Sequence, residues 1–206
     1  MSFTKTKIYN LALSHLLLAR QVDDTETDTI TNEVRVLNTF WDEAFALTLQ
    51  ELDLDSLSEK IPLELLEVLS DDIWTYAYKY PTRCGFLRKL VSGALVDTNR
   101  THIAKRTGML NNQKVIFTDE QYAVAECITK DFPLALLGPS TGLAVSYMLA
   151  FLSAPLIVGK GAKKLKETIY ADYEVAKMKS QNLDALENFN YDNSWDRSEF
   201  VAARME

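Results

Sequence analysis

The sequence is poor in the residues on which metal sites and catalytic pairs depend, since it holds two histidines and two cysteines in 206 residues. Cys84 and Cys127 form neither a CxxC pair nor the dense disulfide framework of a small secreted domain, so we expect two reduced, partly buried thiols. His15 and His102 cannot supply the three or four ligands of a metal site. Neither lies in a pattern typical of a nucleophile–base pair. We therefore predict no metal, no cofactor, no small-molecule substrate and no enzymatic activity.

The sequence also lacks an excess of positive charge, because its net charge is -7 and its pI is near 5. Compact domains that read DNA are usually basic, so strong direct DNA binding is unexpected. An acidic wall past which DNA slides would fit this charge. Hydrophobic residues make up 47% of the chain, which is enough for a real core.

Charged residues are absent between positions 132 and 159. Prolines and glycines interrupt this stretch, and its clean apolar part, 143–152, is shorter than the roughly 20 residues of a membrane span. We expect a buried central helix, surrounded by its own chain or by neighbouring subunits, and no membrane span. The amino-terminal stretch has no uninterrupted apolar core before a small-residue cleavage site, so we expect no secretory signal.

Apolar periodicity predicts a mainly α-helical protein with a β insertion. The helices are expected at about 4–20, 30–53, 140–158 and 161–186, as an elongated bundle within a domain of residues 1–187. A small antiparallel β region is expected at 74–129, because Trp74, Tyr76, Tyr78 and Tyr80 alternate at a spacing of two. This aromatic strand either packs on the helices or lines a ligand groove.

Further local signals divide the middle of the chain. Residues 54–72 are mixed, and Pro62 suggests the start of a short helical turn. Additional strands are expected at 86–91, 101–106, 115–118 and 122–129, with a turn marked by Gly108 and Asn111-Asn112.

Two further segments are candidates for binding. Lys160, Lys163, Lys164 and Lys166 open the last helix, either as a solvated face or as a contact with DNA phosphates or an acidic neighbour. Residues 188–206 have no period and cannot build a core of their own, so we expect an extended docking arm. Its expected anchors are Phe189, Tyr191, Trp195, Phe200 and Arg204.

Four stretches resemble one known family. They are the start, IYNLAL at 8–13 with the acidic loop at 23–26; WTYAYKYPTRC at 74–84; IFTD at 116–119 with the strand at 123–128; and the ending at 194–204. Together they are similar to the tail tubular protein A family, the head-to-tail adaptor or collar proteins of short-tailed phages. The chain departs from the family at Leu17-Leu18, where the family usually closes its first helix with glycine. It departs also at 52–57 and 85–90.

The resemblance implies a virion structural protein at the portal–tail junction, made in the host cytoplasm. Twelve copies would form a ring docked under the portal protein, with the arm at 188–206 reaching to the portal. The other face would carry the tail nozzle or other tail proteins, and double-stranded DNA would pass through without sequence recognition. The alternative is a cytosolic helical interaction or regulatory protein that binds a host partner through its carboxyl-terminal segment.

Overall fold

A computed structural model describes residues 3–23, 31–69, 73–93 and 103–187. About 52% of the described residues are helical and 24% lie in strands, which form two antiparallel sheets. The chain therefore has an α+β fold, and the prediction of a mainly helical bundle is wrong. The physical reason is that strands begin at Ser58 rather than near 74, and that residues from both sheets form a second hydrophobic core.

Four described helices form one layer: α1 (Lys5–His15), α2 (Asn32–Leu52), α3 (Pro139–Ile157) and α4 (Ala162–Glu187). Thr4 and Thr31 begin the first two helices, because their side-chain oxygens accept hydrogen bonds from the backbone N–H groups of Lys7 and Val34. Pro139 at the start of α3 leaves no donor unpaired, because the first N–H groups of a helix have no partner within it.

The first helix ends five residues earlier than predicted. Leu17 adopts a left-handed conformation with φ of 60°, and its N–H donates to Ser14 while the N–H of Leu18 donates to Leu13. This pair of bonds is the Schellman motif, which usually places glycine at the position of Leu17. The side chain of Leu17 is 81% exposed, so the run Leu16–Leu18 looked helical in the sequence only because it is apolar.

Helix α3 is the core of the helical layer, as its uncharged sequence predicts. It packs against α1, α2 and α4, and Ala144, Val145, Leu149 and Ala150 are fully buried. It is also long and apolar enough to cross a membrane by length and composition, although 56% of that window is buried inside the fold. Core helices share this composition, so the absence of a membrane span stays a prediction.

The strands form two layers beyond the helices. A three-stranded sheet has the order β1-β7-β4, formed by Ser58–Pro62, Ala123–Thr129 and Cys84–Ser92. A four-stranded sheet has the order β2-β3-β6-β5, formed by Leu65–Val68, Tyr76–Lys79, Gln113–Thr118 and Arg106–Leu110. Ile128 belongs to the helical core, whereas Tyr78, Ile116 and Cys127 share the second core. The three-stranded sheet thus lies between the helices and the four-stranded sheet.

Several local strand predictions need correction. Pro62 ends the edge strand β1 rather than starting a helical turn, since an edge strand tolerates a missing N–H. Strand β5 begins at Arg106, where the predicted strand at 101–106 was to end, and residues 101–102 lie outside the described ranges. Gly108, which was predicted to mark a turn, lies inside β5. The ring of Phe117 covers it and leaves no room for a Cβ atom. The predicted turn at Asn111-Asn112 is confirmed, and both residues have positive φ.

One arginine joins the helical layer to the sheets. Arg88 of β4 lies between Asp53, which follows α2, Asp55 in the adjoining 3-10 turn, and Glu126 of β7. The Arg88 side chain is 14% exposed and that of Glu126 is 7% exposed. Asp184 of α4 accepts hydrogen bonds from the backbone N–H groups of Asp55 and Ser56. These contacts fix α2, α4 and the three-stranded sheet relative to one another.

Candidate assembly surfaces

The four-stranded sheet presents an apolar edge at β2. All four residues of this strand are exposed, and Leu65, Leu66 and Val68 are large hydrophobic residues. Strand β2 pairs only with β3, so its other side has no neighbouring strand in the described parts of the chain. Exposed apolar edge strands are rare in natural proteins, because they pair readily with other chains. The β2 edge is therefore a candidate contact surface.

The β2 edge was not predicted from the sequence. Residues 54–72 have a mixed pattern, because β1 carries the exposed charged residues Glu59 and Lys60 side by side and β2 is apolar without alternation. The available signal was the short run of leucine, valine and glutamate at 65–69, flanked by acidic residues.

The opposite edge of the same sheet is β5, which pairs only with β6. Met109 is 65% exposed there, and Arg106 and Thr107 are also exposed. The two edges differ in charge: β2 carries Glu67, whereas β5 begins with Arg106. Neither side chain has an ion-pair partner among the residues that the structure describes.

Helix α4 carries a second uncovered surface on its outer side. Its buried face is formed by Ile169, Tyr173, Ala176 and Ser180. On the side of the helix opposite this buried face, exposed residues recur at spacings of four and three residues in turn. This spacing is typical of helices that pack against another helix. This outer stripe of α4 consists of Ala171, Val175, Met178, Asn182 and Ala185.

The predicted lysine cluster lies where α3 turns into α4. Lys160, Lys163 and Lys164 are exposed, and the ammonium of Lys166 lies 4.0 Å from the ring centroid of Phe151. The first turn of α4 has no acidic residue, so these charges add to the positive end of the helix dipole. An anionic neighbour would relieve this repulsion.

The predicted docking anchors lie outside the described residues, which end at Glu187. They are Phe189, Tyr191, Trp195, Phe200 and Arg204. The last described turn of α4 carries Leu183 and Leu186, and both are exposed. The chain therefore leaves the described fold beside exposed apolar side chains.

The two cysteines lie in the second core as buried free thiols. A hydrogen bond from Cys127 lowers the pKa of Cys84, although burial opposes this shift, and the Tyr80 hydroxyl 3.4 Å away adds to the lowering. The same hydrogen bond and burial raise the pKa of Cys127. A nucleophilic thiolate would need access to a substrate, and neither sulfur has it because both residues are buried.

His15 is a helix-packing residue in the structure. Its ring stacks on Tyr147 with centroids 3.8 Å apart, and Nε2 lies 3.0 Å from the hydroxyl of Ser146. Burial lowers the pKa of His15, and the charge of Asp172 partly opposes this shift. His102 lies outside the described residues.

The structure brings together no group of three or more His, Cys, Asp or Glu residues suited to a metal, within the ranges it describes. A groove of about 430 Å³ between α2 and the three-stranded sheet is lined by the apolar residues Phe45, Leu49, Phe86 and Ile128 together with the charged residues Asp42, Lys130 and Asp131. The sequence matches no model of a known protein family and no curated protein.

Proposed function

We propose that the chain is a head-to-tail adaptor subunit of a short-tailed phage, which forms a ring under the portal and continues the DNA channel toward the tail. The proposal rests on the sequence resemblance and on one structural observation. That observation is the pair of unlike edges of the four-stranded sheet, β2 and β5, which have no neighbouring strand among the described residues and lie on a fold whose described residues already form two hydrophobic cores.

Two unlike surfaces on one subunit favour a ring over a two-fold dimer. A two-fold dimer uses the same patch on both subunits, whereas a ring closes through two different patches that face each other. The four-stranded sheet offers such a pair among the described residues, because its β2 edge carries Glu67 and exposed apolar residues, whereas its β5 edge carries Arg106 and the exposed Met109. Each subunit can therefore contact two neighbours at once.

The arm at 188–206 is the proposed contact with the portal. Trp195 and Phe200 would insert into portal pockets, because large aromatic side chains bury much area with few rotatable bonds. Arg204 would add a charge-assisted contact. The lysines at 160–166 are proposed to face DNA phosphates or an acidic neighbour.

The experiment mixes the purified full chain with the portal protein of the phage that encodes it, and examines the mixture by negative-stain imaging and mass measurement. We expect a ring stacked on the portal. A chain that ends at 187 should keep its melting temperature but lose the stacked ring, because residues before 188 form both of the described hydrophobic cores. Trp195→Ala with Phe200→Ala should lose most of the binding with the arm still present.

The control variant is Phe189→Ala alone, which removes one anchor and should weaken binding least. The proposal is wrong if the full chain stays monomeric beside the portal at high concentration. Binding that is undiminished after removal of 188–206 would show that the arm is not the portal contact. Capture of a host protein through 188–206, without portal binding, would support the regulatory alternative.

A further inference from the structure

The two edges of the four-stranded sheet are joined by a single row of paired residues. Glu67 of β2 lies opposite Ala77 of β3, Ala77 lies opposite Phe117 of β6, and Phe117 lies opposite Arg106 of β5. Residues paired in this way project from the same face of the sheet. The row therefore begins with an unpaired carboxylate at one edge and ends with an unpaired guanidinium at the other, within the described residues.

The strand directions allow the same sheet to continue into a second copy. All three pairings of the sheet are antiparallel, so β2 and β5, at the ends of four strands, run in opposite directions. A copy placed beside the first in the same orientation brings its β2 next to β5 as a further antiparallel neighbour. Because the number of strands is even, this head-to-tail extension keeps every neighbouring pair of strands antiparallel, and Glu67 follows the β-bulge that lies between Leu65 and Glu67.

The backbone groups at both edges are oriented for this pairing. The two-residue turn at Asn111-Asn112 makes Leu110 and Gln113 a hydrogen-bonded pair, so the backbone groups of Leu110 point toward β6. Successive residues of a strand turn their N–H and C=O groups to opposite sides. The N–H and C=O of Thr107, three residues before Leu110, therefore point to the outer side of β5. On β2, the bond from the Leu69 N–H to the Thr75 carbonyl, 2.8 Å long, likewise turns the backbone groups of Val68 outward.

Charge selects which edges pair. Pairing β2 with β2 of another copy would bring Glu67 close to Glu67, and pairing β5 with β5 would bring Arg106 close to Arg106. Like charges placed opposite each other destabilise a strand pair. Pairing β5 with β2 instead places Arg106 opposite Glu67. Because Thr107 and Val68 turn their backbone groups outward, the adjacent Arg106 and Glu67 turn theirs inward. Arg106 and Glu67 would therefore form a non-hydrogen-bonded pair, the type in which opposite side chains lie closest.

We propose that β5 of each subunit pairs with β2 of the next copy, with Arg106 opposite Glu67, so that the four-stranded sheets join into one continuous belt. The inference rests on the proposed ring and names the contact through which the ring closes. Val68 at the β2 edge and Met109 at the β5 edge are exposed, so the contact joins two edges that each carry an exposed apolar side chain.

A charge exchange tests the contact in the full chain. Glu67→Arg and Arg106→Glu should each raise the protein concentration for half-maximal ring formation on the portal by about tenfold or more, because each places like charges across the strands. The double variant restores an attractive pair with the charges exchanged, and should return to within about threefold of the unchanged protein. It has the same net charge as the unchanged protein, so it is the matched control for both single variants.

Cysteine substitution tests the register and the direction of the contact. Glu67→Cys with Arg106→Cys should form a ladder of covalent multimers on mild oxidation, because Cα atoms of such a pair lie about 4.5 Å apart, within disulfide range. Each single variant should form no covalent dimer, and the buried native thiols should not react. Thr107→Pro should weaken ring formation while leaving the β5–β6 hydrogen bonds intact, since its N–H points outward.

The outcomes separate this inference from the proposed function. If the unchanged protein forms rings on the portal but neither the charge exchange nor the double cysteine variant has an effect, the belt is wrong and the adaptor function stands. Covalent dimers from Glu67→Cys alone would show a two-fold edge contact and overturn the head-to-tail pairing. If the unchanged protein forms no ring, both proposals fail together.

Discussion

Replacing Arg88 with methionine should destabilise the joint between the helical layer and the sheets. The substitution leaves the Glu126 carboxylate, whose side chain is 7% exposed, with only the ammonium of Lys89 at 3.2 Å. Breaking a buried ion pair costs about 3–5 kcal/mol. Because Lys89 remains, and because Asp53 and Asp55 are half exposed, we expect a loss of about 2–4 kcal/mol of unfolding free energy.

The measurement is urea unfolding followed by circular dichroism at one fixed protein concentration. The expected loss corresponds to a melting temperature about 4–16 °C lower for a domain of this length. Glu126→Gln removes the buried charge. The double variant with Arg88→Met and Glu126→Gln should therefore lose at least about 1 kcal/mol less unfolding free energy than the two single variants lose together. Arg83→Met is the control, because its pair with Glu59 is exposed on both sides and should matter by less than about 0.5 kcal/mol.

The result that would refute this account is an Arg88→Met protein as stable as the Arg83→Met control. Strict additivity of the Arg88 and Glu126 substitutions would also contradict it, because the two side chains would then not interact in the folded protein.

Three further predictions follow from local geometry. Leu17→Gly should be more stable than Leu17→Ala by about 0.5–1 kcal/mol in urea unfolding, because only glycine avoids the strain of a left-handed conformation; equal stabilities would refute this. Gly142→Ala should lose about 1–3 kcal/mol, since its new Cβ would lie 2.4 Å from Cζ of Phe3, and an unchanged urea midpoint would contradict it. Burial lowers the pKa of His15, and the charge of Asp172 partly opposes this shift. The neutral His15 side chain therefore contributes to stability above the unfolded-state pKa of about 6.5, and this contribution is lost as the pH falls below that value. His15→Gln should therefore flatten the dependence of the urea midpoint on pH between 7.5 and 5, and an unchanged slope would count against it.

The helical layer could be predicted because its helices are amphipathic or uniformly apolar over many turns. Helix α3 was placed within a residue at either end, since its uncharged sequence fits a helix surrounded by others. The end of α1 was missed because the conformation of Leu17 is set by hydrogen bonds to Leu13 and Ser14, which leave no mark in an apolar run.

The sheets were predicted only in part, because burial differs among their strands. Strand β7 is almost wholly buried and its apolar sequence was recognised, whereas β2 is exposed on both faces and shows no alternation. The candidate contact between edges could not be predicted from the sequence at all. Glu67 and Arg106 are far apart in the chain, and only the register of β3 and β6 shows that they end the same row.

The place of α3 in the chain has a consequence during synthesis. Its partners α1 and α2 leave the ribosome before it, but α4 leaves after it, so the side of α3 that packs on α4 is exposed to solvent in the meantime. The nascent protein would then display an uncharged apolar helix of the kind that chaperones and insertion machinery bind. The last described helix therefore completes the fold by covering α3, and a chain cut within 162–187 would keep that side exposed and aggregate.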